Sequence, residues 1–211
     1  MRDVPRVTSV LAVIARPGQE SADLGALLYA FRRSGARLAV LSLTRGEASP
    51  LNSTIERLET RRLWELQVAV GLLGVTALAV ADYPDGELAR RPAQELTELV
   101  GREIRRHGAD LVIILDPATV DSGDLDSDST VVAGAARAAA GQAGLPTVVR
   151  MTLGAGGGRM VTLGPEAPMA RAVQRSAAAA HSSQAEALPD VERRLNLLGD
   201  REMLRWLAPA A

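Results

Sequence analysis

The sequence contains no cysteine and no lysine, and it has only two histidines, His107 and His181. Without cysteine, the chain forms no disulfide, thiolate metal site or thiol nucleophile. Without lysine, it has no amine for a Schiff base. Histidine is the usual zinc ligand and general base, so its scarcity is the most restrictive of these absences.

Aromatic residues make up 2% of the chain, and the formal net charge is −1. A nucleic-acid-binding surface needs an excess of basic residues, and base stacking needs aromatic side chains. No apolar run reaches the roughly 20 residues of a membrane-spanning helix, and Val10–Ile14 reads as a buried strand rather than a signal peptide. We therefore expect neither nucleic acid nor membrane as a partner, and we expect a cytoplasmic protein.

Short apolar runs alternate with longer amphipathic stretches along the 211 residues, enough for one sizeable core. The predicted strands are 7–15, 37–43, 77–81, 111–115 and 147–153; the predicted helices are 21–34, a long one ending near 71, 93–107 and about 129–142. Apolar strands separated by helices favour a parallel sheet covered on both faces. We predict an α/β fold, a Rossmann-like three-layer sandwich with a mainly parallel sheet, as one domain over 1–211.

The C-terminal part begins with a glycine-rich stretch, 154–158, between two apolar β-like segments, 148–153 and 160–163. A phosphate-binding loop requires a helix directly after the glycines, and here a strand follows. We therefore predict a C-terminal hairpin. Two further helices are predicted to begin near Pro168 and Asp200.

Ligands of such a sheet bind beyond the carboxyl ends of the strands. The segments that follow the predicted strands should therefore surround one cavity. These segments are 16–20, 44–47, 82–86 and 116–129.

Five short motifs occur in order along the chain. They are ARPGQE at 15–20, LTRGE at 43–47, RLWEL at 62–66, LGV at 73–75 and AHSSQ at 180–184. Together they resemble the LmbE-like (PIG-L) family, with its A-H-P-D-D-E, L-T-x-G-E, R-x-x-E-L, L-G-V, H-P-D-H and A-H-x-S-Q signatures. The resemblance implies a zinc-dependent amide hydrolase that removes acetyl from an N-acetylglucosamine moiety, in a family that often forms oligomers.

The resemblance assigns the zinc ligands to positions occupied here by Arg16, Gln19 and Ser129, and the general base to Gly18. Asp128 survives from the H-P-D-H motif, which reads DSDS from Asp126. A protonated Arg cannot coordinate zinc, amide and hydroxyl oxygens are poor donors for it, and glycine supplies no base. We therefore predict that the family's zinc cofactor is absent here.

Arg16 places a fixed positive charge where the metal would lie. We hypothesise that it pairs with Asp126 or Asp128 across the crevice and replaces zinc as the tie between two loops. An incoming carboxylate or phosphate could instead split that pair, because a guanidinium grips such groups with two hydrogen bonds. The alternative is an Arg16 side chain that points to solvent.

Other polar residues have both structural and functional interpretations. Glu20 is a weak catalytic candidate whose simpler role is to cap a helix. Arg62 and Glu65 form a helix-surface ion pair in the simplest interpretation, whereas the resemblance places them towards the crevice. Asp85 fits a turn or a substrate contact. We expect His181 to be structural.

An aspartate-rich segment, containing Asp116, Asp121, Asp124, Asp126 and Asp128, offers oxygen ligands for Ca²⁺ or Mg²⁺. Its spacing imitates the start of an EF-hand loop, but Ser129 stands where that loop needs glycine and Ala135 where it needs glutamate. The simpler interpretation is a solvated loop in which Asp128 or Ser129 caps the next helix.

We therefore predict a degenerate LmbE-like deacetylase homologue that binds a small molecule, anionic or amino-sugar-like, or a partner protein. The predicted ligand-binding residues are Arg16, Gln19, Glu20, Arg62, Asp85, Asp126, Asp128 and Ser129. One alternative is a metal-dependent N-deacetylase that uses Asp126 and Asp128 with Glu20. Another is a structural role, as a homo-oligomer or as a subunit that stabilises an active paralogue.

Overall fold

The computed structural model describes residues 7–51, 56–116, 127–153 and 156–208. The strands are β1 Ser9–Ile14, β2 Arg37–Thr44, β3 Ala77–Tyr83, β4 Leu111–Leu115, β5 Thr147–Arg150, β6 Arg159–Thr162 and β7 Arg201–Leu207. The helices are α1 Gln19–Ala22, α2 Gly25–Arg33, α3 Leu58–Leu73, α4 Ala93–His107, α5 Ser127–Gln142, α6 Ala167–Ala180 and α7 Leu188–Leu198. Short 3₁₀ helices occupy Leu88–Arg90, Gly164–Glu166 and Ser182–Ala187.

The strands form one sheet of seven in the order β3-β2-β1-β4-β5-β7-β6. The five from β3 to β5 are parallel, and β7 pairs antiparallel with both of its neighbours. The order reverses between β1 and β4, where open α/β sheets carry their ligand crevice. The predicted α/β fold with a mainly parallel sheet is confirmed.

The C-terminal region differs from the prediction in two ways. The strands on either side of the glycine-rich stretch, β5 and β6, do not form a hairpin with each other, because β7 lies between them. The helix predicted from Asp200 is wrong, since this segment is β7. Gly199, with φ of +58°, ends α7. In the residues that follow, every second side chain is buried, first Glu202 and then Leu204. This two-residue period is that of a strand rather than a helix.

Two apolar clusters lie on opposite faces of the sheet. Alternate residues of β1 separate to the two sides, with Val10, Ala12 and Ile14 in one cluster and Leu11 and Val13 in the other. The first cluster packs under α2, α3 and α6, and the second under α4 and α5. The chain is therefore a three-layer α/β/α structure whose central strands are buried on both faces.

The segments after β1, β2 and β3 meet the start of α5 at the carboxyl edge of the sheet, where side chains of each segment bind the others. Within the described residues, no helix is both long and apolar enough to cross a membrane.

Candidate functional site

Asp85 joins the loops that follow three strands of the sheet. Its Oδ1 accepts a hydrogen bond from Nε of Arg16 at 3.1 Å and from the hydroxyl of Thr44 at 3.2 Å. Its Oδ2 accepts from the backbone N–H of Ala48 at 3.2 Å, and its own N–H donates to Glu47 at 2.8 Å. The Asp85 side chain is 3% exposed and that of Arg16 is 28% exposed. The Arg16 guanidinium is therefore held by Asp85 and partly exposed to solvent.

Gln19 and Ser129 connect the start of α1 to the start of α5. The Gln19 Oε1 accepts hydrogen bonds from the backbone N–H of Ala15 at 2.9 Å and of Arg16 at 3.4 Å. Its Nε2 donates to the hydroxyl of Ser129 at 3.0 Å. Two of the positions that the resemblance assigns to zinc ligands therefore bind each other directly.

Asp128 is buried at the start of α5, not solvated as the simpler interpretation expects. Its carboxylate accepts hydrogen bonds from the backbone N–H groups of Gly86 at 2.7 Å and Leu88 at 3.0 Å. Burial raises the pKa of Asp128, although these two hydrogen bonds oppose the rise. The ion pair described for Arg16 is with Asp85, a partner that the sequence does not predict. Asp126, the other predicted partner, lies outside the described residues.

Glu20 lies fully buried behind the loop that follows β1. Its carboxylate accepts hydrogen bonds from the Ser21 hydroxyl at 2.6 Å and the Gly18 N–H at 2.8 Å, and Nε2 of His181 lies 2.7 Å away. Burial alone would raise the pKa of Glu20, but the hydrogen bonds and charge of His181, Ser21 and Gly18 outweigh it and hold the pKa below its ordinary value. Glu20 therefore ties α1 to the segment that follows α6.

Replacing Glu20 by Gln should change how stability depends on pH. A pKa lowered in the folded state stabilises the protein above the unfolded pKa, and this contribution is lost as pH falls through the folded pKa. We expect Glu20→Gln to lose about 2 kcal/mol of unfolding free energy at pH 7. We also expect its stability to fall less steeply than that of the wild type below about pH 4. Urea unfolding at a series of pH values measures both effects.

Glu87→Gln is the control, because Glu87 is half-buried and pairs with Arg90 within one helical turn. Glu87→Gln should leave unchanged both the free energy of unfolding at pH 7 and the steepness with which it falls below about pH 4. Equal acid-side slopes for Glu20→Gln and the wild type would contradict the role given to Glu20.

Arg62 holds two loops in place from the buried face of α3. Its guanidinium donates to the carbonyl of Pro17 at 2.6 Å and to the carbonyl of Gly46. Burial lowers the pKa of Arg62, an effect partly offset by Asp85, Glu20 and Glu65. Gly46 has φ of +73°, and a Cβ there would overlap the guanidinium of Arg62. Glycine is therefore required where this guanidinium crosses the loop.

Glu65, three residues after Arg62 on α3, binds the AHSSQ segment. Its side chain is 0% exposed. It accepts hydrogen bonds from the Ser183 hydroxyl at 2.6 Å, the Ser183 N–H at 2.8 Å and the Ser182 hydroxyl at 2.8 Å, and it pairs with Arg61 at 2.8 Å. Burial would raise the pKa of Glu65, but these hydrogen bonds hold it below its ordinary value. The helix-surface pair between Arg62 and Glu65 is therefore the wrong interpretation, since both side chains are buried and bind loops.

A cavity of about 230 Å³ lies beside the loop that follows β1. Its polar lining comes from Arg16, Gln19, Asp23, Arg62, His181, Gln184 and Arg194, and its apolar lining includes Leu115, Leu188 and Val191. One wall is therefore the β1 loop, and the other is the chain from α6 to α7. The predicted segments 44–47 and 82–86 do not line it. Instead, Thr44 and Asp85 of these segments hold Arg16 in place, because the Asp85 carboxylate accepts hydrogen bonds from both Thr44 and Arg16.

A family model described as PIG-L, GlcNAc-PI de-N-acetylase, matches residues 11–140 of this chain, which is more than half of it. The chain belongs to the PIG-L family. A comparison with curated proteins gives no match.

Solved structures confirm the fold of this PIG-L member. It is similar to the conserved protein TT1542 from Thermus thermophilus, with a TM-score of 0.76 and 21% identity over 96% of this chain and 95% of that one. It is also similar to the N,N'-diacetylchitobiose deacetylase from Pyrococcus horikoshii, with a TM-score of 0.74 and 15% identity over 96% and 85%. The 4-carboxy-2-hydroxymuconate hydratase from Pseudomonas putida has a TM-score of 0.74 and 13% identity over 97% and 98%.

The predicted site residues of this PIG-L domain divide into two groups. Arg16, Gln19 and Arg62 line the cavity, whereas Glu20, Asp85, Asp128 and Ser129 support the loops behind it. Sequence reasoning missed Asp23 and Arg194, which pair at 2.9 Å in the cavity wall. It also treats His181 as structural only, although this residue lines the cavity while its ring binds Glu20.

The alternative cation site rests on residues that the structure describes only in part. Asp121, Asp124 and Asp126 lie outside the described residues. Among the residues that are described, no group of three His, Asp or Glu side chains is placed to share a metal ion.

Proposed function

We propose that this PIG-L member is not a zinc-dependent deacetylase and that it binds a small anionic molecule in the cavity beside Arg16. The observation that carries the proposal is the 3.0 Å hydrogen bond from Gln19 Nε2 to Ser129 Oγ. An amide and a hydroxyl that bind each other hold the β1 loop to α5, the connection that a shared metal ion would otherwise make.

The donor set at these positions does not fit zinc. Zinc sites in proteins use imidazole, thiolate and carboxylate groups, in which the donor atom offers a free lone pair. Arg16 is always protonated, the Gln19 oxygen already accepts two backbone N–H groups, and Ser129 offers only a hydroxyl. Gly18 supplies no base for a bound water. The residues at these positions therefore support no hydrolytic step through a metal.

The charge of the cavity lining favours an anion. Among the described residues, three guanidinium groups line the cavity, those of Arg16, Arg62 and Arg194, together with a single carboxylate, that of Asp23. Arg62 is buried and binds two backbone carbonyls, whereas the side chains of Arg16 and Arg194 are 28% and 19% exposed and can reach a ligand. A carboxylate or phosphate matches the planar guanidinium, and the apolar part of the lining suits a carbon skeleton.

Elemental mass spectrometry of the purified protein tests the first half of the proposal. We expect far less than one zinc ion per chain, both as isolated without chelator and after a zinc soak followed by desalting. We also expect no acetate release from N-acetylglucosamine substrates. One tightly bound zinc ion per chain, or acetate release that chelators abolish, would overturn it.

Ligand binding tests the second half. Against a panel of small carboxylates and phosphate esters, the tightest ligand should lose at least about tenfold in affinity in Arg16→Gln. Arg33→Gln is the matched control, since Arg33 pairs with Glu166 on the surface outside the cavity. An affinity that Arg16→Gln leaves unchanged would contradict the assigned cavity.

A further inference from the structure

A second cavity, of about 450 Å³, lies beyond the end of β5. Its lining includes Arg150, the last residue of β5, together with Arg193 and Arg194 of α7. Leu153 and Leu197 add apolar surface, and among the described residues Asp190 is its one acidic lining residue. Arg194 borders both this cavity and the one beside Arg16.

Arg150 is one of the most deeply buried charged groups in the protein, with a side chain that is 1% exposed. Its Nε lies 3.4 Å from an oxygen of Glu202, and its Nη1 lies 3.9 Å from Asp23. The second distance is too long for a hydrogen bond. Nη1 has no hydrogen-bond partner among the described residues, so this buried guanidinium, on a residue that lines the cavity, has an unused donor.

The carboxylates around Arg150 are shared with other guanidinium groups. Glu202 also pairs with Arg171 at 2.6 Å, and Asp23 also pairs with Arg194 at 2.9 Å. Within the described part of the chain, the network therefore contains three cations, Arg150, Arg171 and Arg194, and two carboxylates. A buried network with one positive charge in excess is costly unless an anion neutralises it.

The donors of this network that make no hydrogen bond belong to residues that line the second cavity. Arg171 is fully committed, because it also donates to the carbonyls of Gly199 and Arg201 and to Gln174. Arg194 donates from Nη2 to the carbonyl of Ala22, but its Nε is buried without a hydrogen-bond partner in the residues that the structure describes. The unused donors are thus Arg150 Nη1 and Arg194 Nε, both on residues that line the cavity.

We propose that this second cavity binds the carboxylate or phosphate group of a small organic anion. Arg150 supplies the buried charge at its inner end and Arg193 a charge at the rim, while Leu153 and Leu197 contact the carbon part of the ligand. The proposal does not require the function proposed for the Arg16 cavity, because Arg150 and Arg193 line only the second cavity.

Calorimetric titration of the full chain with inorganic phosphate, and separately with acetate, tests this site at constant ionic strength set with chloride. We expect saturable binding of one anion, weakened at least about tenfold in Arg150→Gln and about threefold in Arg193→Gln. Arg193 is 72% exposed and pairs with Asp190 three residues away, so its variant tests the site without disturbing the core. Arg106→Gln is the control, since Arg106 is 70% exposed and pairs with Glu103 at the same i, i+3 spacing, at 3.7 Å.

The pattern across the variants decides the outcome. Binding of phosphate alone supports a phosphate-bearing ligand, and binding of both probes supports either anion, provided that Arg193→Gln weakens it and Arg106→Gln does not. The absence of saturation up to about 50 mM anion would overturn the proposal. So would binding that Arg193→Gln leaves intact, or binding that Arg16→Gln abolishes, since the latter would place the anion in the first cavity.

Discussion

Replacing Glu65 by Ala is expected to lower the free energy of unfolding by about 4 kcal/mol. The carboxylate is fully buried and accepts three hydrogen bonds from Ser182 and Ser183. Its removal takes a hydrogen-bond acceptor away from the Ser183 hydroxyl and N–H in a buried position, and each unsatisfied donor costs free energy. For a chain of this length the melting temperature should fall by about 10 °C, measurable by calorimetry.

Glu98→Ala is the control for this variant. Glu98 is exposed on α4 and accepts a hydrogen bond from Gln94 at 2.9 Å. Its replacement should shift the melting temperature by no more than about 1 °C. A loss of less than about 1 kcal/mol in Glu65→Ala would mean that water replaces the carboxylate and that the segment after α6 is not held by this residue.

Restoring the metal-ligand pattern should create a zinc site. In the triple variant Arg16→His, Gln19→Asp and Ser129→His, two imidazoles and a carboxylate would converge where Gln19 and Ser129 already touch. We expect zinc affinity to rise at least about thousandfold over the wild type, because these donors match the preference of zinc. Competition with a fluorescent zinc chelator measures the gain.

The double variant Arg16→His and Ser129→His, which lacks the carboxylate, is the control and should bind more weakly than the triple variant. We expect the triple variant to bind zinc but to have no deacetylase activity, because it still lacks a general base. Gly18, at the general-base position, has φ of +103°, a conformation that a residue with a Cβ rarely adopts. If the triple variant binds zinc no better than the wild type, the three positions do not converge, and the proposal loses its geometric basis.

The parallel part of the fold and the edge at which the loops meet could be predicted from the sequence, because both follow from the order of apolar strands. The pairing of Arg16 with Asp85 could not be predicted, because the distance between two side chains on different loops depends on the backbone paths of both loops. The same limit applies to Glu65. Its partner Ser183 lies 118 residues further along the chain, so the spacing of residues on α3 does not reveal the contact.

The charged network around Arg150 was beyond sequence reasoning for a related reason. Arg150 ends a short apolar strand, and an arginine at a strand end is ordinarily expected at the surface. Its partners, Asp23 and Glu202, come from the end of α1 and from β7, a strand in a segment for which the sequence predicts a helix. Only the true position of β7 brings Glu202 to Arg150.

The position of β7 also determines the order in which the sheet can be completed. β6 precedes β7 in the chain, yet its only neighbour in the described sheet is β7, which must first pair with β5. Until Arg201–Leu207 docks, β5 presents an open strand edge and β6 has nothing to pair with. An unpaired edge of this kind is where chains associate with one another during folding. Folding intermediates that lack β7 should therefore be the aggregation-prone species of this protein, whatever the stability of the finished domain.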